Sequence, residues 1–365
     1  MKILRPLLFS ALLITVGTLS AQDIHYSLFN MSPLTLNPAL TGAFSGSIRV
    51  GGIYRTQAFA TDNVRGYSTP SVYIDSPILR GFGKRDWIGV GGVLVSDNAG
   101  DLKLTTNIFA FSGAYHLALD KKGTTMLTLG IQGGNVGRSL SFRNARSGNT
   151  FSTDIGGNET DISEDPALSG NGSGGGQPDP NSKKDKEKSF MDWGGGLMLR
   201  TQIDKGTNLE LGVSVGHVTT PDYAFGASTV MGGTPPSTEG NDRPFLTSAH
   251  GRLDMMMDDK WSISPTFFWQ NTAQVNEISL QGWAGYQLNP DLKLNFGLGY
   301  RISDAGKLLF GVDYKDLKVA LAYDLTLSSM GKFNNGQGAL EIAANYIFRI
   351  YKKPDLTPTI LCPRF

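Results

Sequence analysis

The residues able to do chemistry are few and scattered. Gly212-Val213-Ser214-Val215-Gly216 has the spacing of a nucleophile elbow, in which a strained turn between a strand and a helix exposes a serine. Here the pentapeptide lies inside an alternating run that continues to His217-Val218, so it reads as strand and Ser214 as a strand-face residue. A base would have to come from His25, His116, His217 or His250, none of which stands beside a clear acidic partner or near another histidine in sequence. Gly81-Phe82-Gly83-Lys84 lacks the spacing and the magnesium-binding hydroxyl of a phosphate loop. Asp154, Glu159, Asp161, Glu164 and Asp165 form an acidic group able to attract calcium weakly, but no ligand loop with its glycine and terminal glutamate surrounds them. A lone cysteine, Cys362, excludes intrachain disulfides and multi-cysteine metal sites. The expectation is a protein without catalytic residues, metal or cofactor.

Charge narrows the partners. With 33 basic and 32 acidic side chains, a net charge of +1 and 18% charged residues, the chain lacks the basic face of a nucleic-acid binder. Its 40% hydrophobic content excludes wholesale disorder. The 46 glycines in 365 residues are nearly twice the usual share of about 7%, an excess that needs an architectural reason.

The elements that must position these residues begin with an export signal. Residues 1–21 carry Lys2 and Arg5, then an apolar run from Leu7 to Val16, and close on Leu19-Ser20-Ala21, the pattern of a cleaved secretory signal peptide. Beyond it no apolar stretch of about 18 residues remains to form a membrane helix. From about residue 46 the pattern has period two. Leu317, Val319, Leu321, Tyr323 and Leu325 alternate with Lys318, Ala320, Ala322, Asp324 and Thr326, and the run from Leu340 to Ile350 repeats this about Glu341, Ala343 and Asn345. Such segments predict strands at 46–57, 68–77, 86–96, 104–118, 124–135, 189–202, 207–218, 244–256, 260–271, 275–288, 291–302, 306–315, 317–327 and 338–350.

About fourteen strands of this length fit a transmembrane antiparallel up-and-down β-barrel of the outer-membrane type, spanning 46–351, with outer-membrane lipid against its apolar face. Strand parity agrees. Taking the N-terminus as periplasmic, every second connection from the fourth strand on is tight and charged: 120–123, 204–206, 258–260, 289–291 and 315–316. The connections between them include the long ones, 136–188, 219–243 and 328–337; 78–85 is longer than its parity asks. A soluble exported sandwich would also show period two, but its strands are usually nearer 5 or 6 residues. Glycines fall mostly on the polar face, where they widen a lumen or let backbones approach. Trp87, Trp261, Trp269, Tyr300, Tyr314, Phe348 and Tyr351 sit near segment ends and suit interface girdles. The alternation sets Leu321 toward lipid and Ala322 toward the lumen, so arginine is expected to be costlier at 321. The stretch 143–188, with Gly170 to Gly176 and the charge run Lys183 to Lys188, has the composition of a disordered outer loop.

Several segments together resemble the PorP/SprF family of outer-membrane proteins of the type IX secretion and gliding machinery of Bacteroidetes. They are Gln22 to Phe29, Ser32 to Gly42 with its Asn37-Pro38-Ala39, Arg49-Val50 with Tyr54 to Gln57, and Ile88 to Gly100 followed by Ala114-Tyr115-His116. Gly338 to Ile342, Tyr346 to Phe348 and the ending Cys362-Pro363-Arg364-Phe365 complete the set. The resemblance implies an outer-membrane barrel that works with periplasmic secretion and motility ring proteins, or serves as export partner and surface anchor of a secreted adhesin. Asn-Pro-Ala near the N-terminus also resembles long-chain fatty-acid transporters, which keeps a channel for hydrophobic substrates as the alternative.

Two segments are candidate partner-docking elements. The first is Asn37, Pro38 and Ala39 within the periplasmic or lumenal segment 22–45, where asparagine caps and proline starts a short helix, or the three form a turn. The second is the tail 352–365, ending in Cys362, Pro363, Arg364 and Phe365. Its Pro354, Pro358 and Pro363 keep it from continuing as a paired strand, so it is expected to hang into the periplasm. Cys362 could otherwise take a lipid or another thiol.

Overall fold

The computed structural model describes residues 24–57, 66–80, 85–100, 104–140, 186–223, 242–272, 275–328, 331 and 336–350. The predicted signal peptide, most of the loop 143–188 and the tail 352–365, with Cys362, Pro363, Arg364 and Phe365, lie outside the described residues.

Each alternating segment forms a strand. In chain order they are β1 (Ile48–Gln57), β2 (Tyr67–Arg80), β3 (Trp87–Ala99), β4 (Leu104–Ala118), β5 (Thr125–Leu140), β6 (Lys186–Asp204) and β7 (Thr207–Gly216). They continue as β8 (Leu246–Met256), β9 (Trp261–Thr272), β10 (Val275–Asn289), β11 (Leu292–Arg301), β12 (Ala305–Tyr314), β13 (Leu317–Thr326) and β14 (Gln337–Phe348). Every strand pairs antiparallel with its neighbours in sequence, and β1 closes on β14 from Ile48↔Phe348 to Gln57↔Ala339. The result is a closed barrel, which leaves no sheet edge unpaired. No described helix is long enough to cross a membrane; the strands do so.

Period two becomes an inside and an outside. Along β13, Leu321 is 41% exposed on the outer wall, while Ala320, Ala322 and Asp324 are buried inside. Outward Leu, Val, Ile and Phe side chains ring the barrel and make its lipid face. Turns are tight at one end. At Asp120 the carboxylate accepts from Thr125 N at 2.7 Å, Thr124 Oγ1 at 2.9 Å and Lys122 N at 3.0 Å. These bonds, led by Thr125, hold its pKa down to about 2. The Lys260 and Trp261 N–H groups lower the pKa of Asp258 in the same way. Short turns face the periplasm in such barrels, so this is the periplasmic end.

Three expectations need correction. The connection after β2 is shorter than predicted, because β2 runs on to Arg80 with a register shift between Ile78 and Arg80, where Leu79 has φ 38°. Lys186, Glu187 and Lys188 belong to β6 and not to the loop, since the ladder with β5 continues through Leu140↔Lys186. Trp87 is no girdle residue: it stacks on His116 at 4.5 Å, and its indole donates to Gly42 O at 3.1 Å inside the barrel. By contrast Trp261, Tyr300, Tyr314 and Phe348 remain exposed outside.

The lumen is occupied by the chain's own N-terminal segment. Residues 24–43 cross it from the loop end to the periplasmic end as a 3-10 turn (Phe29–Met31), a helical turn α1 (Pro33–Leu36) and a second 3-10 turn (Pro38–Leu40). Leu28, Leu34 and Ala39 are buried in three apolar clusters against wall residues that include Ile53, Tyr73, Val93, Met198, Phe268 and Trp283. So short a helical segment has little stability of its own, and the wall supplies what holds it.

Candidate functional site

The strongest constellation of polar groups is the seam between this plug and the wall. At the loop end Glu341 on β14, fully buried, accepts from two successive plug amides, Ser27 N at 2.6 Å and Leu28 N at 2.7 Å. The Ser27 hydroxyl donates to Asp324 on β13 at 2.7 Å, and Gln281 on β10 donates to Ser27 O at 2.6 Å. Arg55 on β1 lies against Glu341 and Asp324, while Arg301 on β11 reaches Asp324 at 3.0 Å and Glu277 at 3.1 Å. Lys307 on β12 donates to Ser279 at 2.8 Å, and His25 sits 3.4 Å from Glu277. Opposite charges alternate around the backbone of Ser27 and Leu28, and that pairing is what lets them stay out of water.

Nearer the periplasmic end a second set holds the plug's exit. Asp75 on β2 accepts from Gly42 N at 2.7 Å and from Arg49 through two nitrogens at 2.9 and 2.7 Å. His116 on β4 bridges Thr41 O at 2.8 Å and the Thr128 hydroxyl at 2.9 Å. Arg200 on β6 donates to Ala43 O at 3.1 Å while pairing with Glu210 on β7 at 2.5 Å.

Between these anchors the wall is thinned by glycine. A Cβ at Gly130 would overlap Pro38 and Ala39, one at Gly196 would overlap the Asn37 amide, and one at Gly89 would overlap Thr41. Gly42 itself has φ +70°, beside Gly89. The glycine excess therefore serves close approach of backbones here.

Asn37, Pro38 and Ala39 are all buried. Asn37 Oδ1 accepts from Ala39 N at 2.9 Å and caps the 3-10 turn, as the capping expectation required; its amide nitrogen reaches Leu197 O, Val213 O and His250 Nε2, each at 3.2 Å. In this conformation the triplet is buried against the barrel wall. Ser214 lies within continuous β7, bonded to Ser248 at 2.6 Å and to Leu36 O at 3.3 Å, so no strained elbow forms. His217, just beyond the loop end of β7, pairs with Asp192 at 2.6 Å. No metal-binding cluster occurs among the described residues. Sequence reading missed the ring of Arg55, Arg301, Lys307, Asp324 and Glu341; their common signal is a charged residue on the polar face of an otherwise apolar strand.

Beside the plug lie two lumenal cavities, among the described residues, that share no lining residue. One of about 160 Å³ lies toward the loop end, among Val93, Ile108, Val136 and Phe268, with Asp192, His217 and Arg243 in its lining. The other, of about 280 Å³, lies toward the periplasmic end, roofed by Asn30 and Met31.

The sequence pattern of the type IX secretion system membrane protein family PorP/SprF matches residues 18–346, which takes in the plug and almost the whole barrel. The chain belongs to this family. No curated protein sequence matches it significantly. Among solved structures, the deltaS2 mutant of the TodX monoaromatic hydrocarbon channel aligns with a TM-score of 0.50 at 12% identity, over 88% of this chain and 94% of that one. The CymD monoaromatic hydrocarbon channel gives 0.49 at 13% identity over 88% and 94%, and the Ralstonia pickettii toluene transporter TbuX gives 0.47 at 14% over 87% and 94%. At such identities the likeness is one of fold, and it places this PorP/SprF member among outer-membrane barrels.

Proposed function

We propose that the protein is a plugged, non-catalytic outer-membrane barrel that supports export or surface anchoring of a secreted adhesin, in contact with periplasmic ring proteins of the secretion and gliding apparatus. One observation carries the reading. The plug is held to the wall at both ends by buried charge, which suits a barrel that works through its surfaces and not as a standing conduit. Export by the signal at 1–21 brings it to the membrane, and the tail 352–365 with Cys362, Pro363, Arg364 and Phe365 is the proposed periplasmic docking peptide. The alternative, a channel for hydrophobic substrates like the neighbours named above, requires the plug to leave or rearrange.

The test is purification of the full chain from its native membrane in mild detergent, with identification of bound proteins and bilayer conductance on the same sample. Recovery of secretion-apparatus components without conductance supports the proposal. A reproducible open-channel conductance with no bound protein overturns it. Truncation after Tyr351 should leave the barrel assembled while abolishing adhesin display, and normal display would remove the docking role of the tail.

A further inference from the structure

The periplasmic cavity is unlike the rest of the lumen. Its charged lining is Arg252, Asp254, Lys293, Asp313 and Lys318, with space left by Gly311 and Ala320. The carboxylates are engaged: Asp254 accepts from Arg252 at 2.8 Å and from Ser264 at 2.5 Å, and Asp313 faces Lys318 at 4.0 Å. Three cations thus meet two anions. Lys293, paired in register with Asp313 across β11 and β12, makes no ion pair within 4.0 Å among the described residues. Asn30 and Met31 form the roof. A surplus ammonium in a polar chamber asks for a ligand that brings a carboxylate.

We infer that this chamber seats an acidic segment of an extended peptide, presented from the periplasm, with a side-chain carboxylate on Lys293. The inference rests on the proposed periplasmic partnership and names the chemistry of the partner. Arg252 and Lys318, both part-exposed, extend the cationic path beyond Lys293.

Binding of a fluorescein-labelled tetraglutamate peptide to the full chain in detergent, read by anisotropy at low salt, tests this without any secretion assay, so its outcome is separable from that of the proposed function. Saturable binding is expected for tetraglutamate and none for tetralysine. Lys293→Gln should weaken it at least tenfold, the scale of one charge-assisted hydrogen bond of about 1.5 kcal/mol. Gly311→Leu should abolish it by filling the chamber, since a Cβ there meets Asn295 and Val319 no closer than 3.5 Å and the fold has room for it. Lys315→Gln, on an exposed turn, should leave affinity unchanged. Equal binding of tetralysine, equal affinity for free glutamate, or affinity unmoved by Lys293→Gln would overturn the inference.

Discussion

The two sides of the lumen at its periplasmic end are built to opposite rules. Against β2 to β6, glycines at 89, 130 and 196 bring the wall onto Asn37 to Gly42, and no Cβ can be added without overlap. Against β7 to β13 the glycine at 311 borders an open polar chamber, and a Cβ there would meet nothing closer than 3.5 Å. The same residue type on the same face of neighbouring strands therefore marks intimate packing in one place and room in another. What separates them is whether the N-terminal segment lies opposite.

Experiments can break that contrast, starting from the filled region. Glu341→Ala strips the acceptor from two plug amides and leaves Arg55 with only Asp324 as an ion-pair partner among the described residues. It should cost about 3 to 5 kcal/mol, the scale of a broken buried charge pair, and appear as loss of the heat-resistant folded band in unheated gels. A band as stable as that of the parent would show the latch to be ornamental. Leu321→Arg, on the lipid face, should cost about 2 to 4 kcal/mol in a membrane-insertion assay, whereas Ser262→Arg in the open chamber should accumulate normally. Equal accumulation would mean that the faces or the chamber are misassigned. Gly130→Leu should destabilise by about 1 to 3 kcal/mol and make the plug cleavable by added protease, while Gly311→Leu should do neither.

The smallest effect lies outside both regions. Because the pKa of Asp120 is depressed in the folded turn, its contribution is present above the ordinary carboxylate value of about 4 and is lost as pH falls through about 2. Amide exchange at Thr125 should quicken over that window in the parent and be insensitive to it in Asp120→Asn.

Strands were legible because lipid and lumen impose period two on every one of them; segments such as β4 and β13 begin within a residue of where alternation puts them. The cap at Asn37 was legible too, being a local contact. What alternation cannot carry is distance. Ser27 meets Glu341 across 314 positions of sequence, and nothing in the short segment around Ser27 names its partner. The same blindness spoils one inference about faces: Ala322 does point inward, but it packs with Tyr26 and Leu28, so an arginine there would not find the free lumen that the pattern suggests. Trp87 was misread because an aromatic at a strand end suits a lipid interface and a lumenal contact equally.

Glu341 stands on the last strand, beside the seam where β14 meets β1, and its ligands are among the first described residues of the chain. During biogenesis the final ladder therefore zips shut around a carboxylate that Arg55 pairs from the wall and that a seated N-terminus completes with two amides. An empty barrel would close without the two amide hydrogen bonds that the plug donates to that carboxylate. Closure and occupancy are thus a single cooperative event, and the assembly reaction proofreads itself: a cylinder that fails to capture its own leading segment is the less stable product and the readier to reopen.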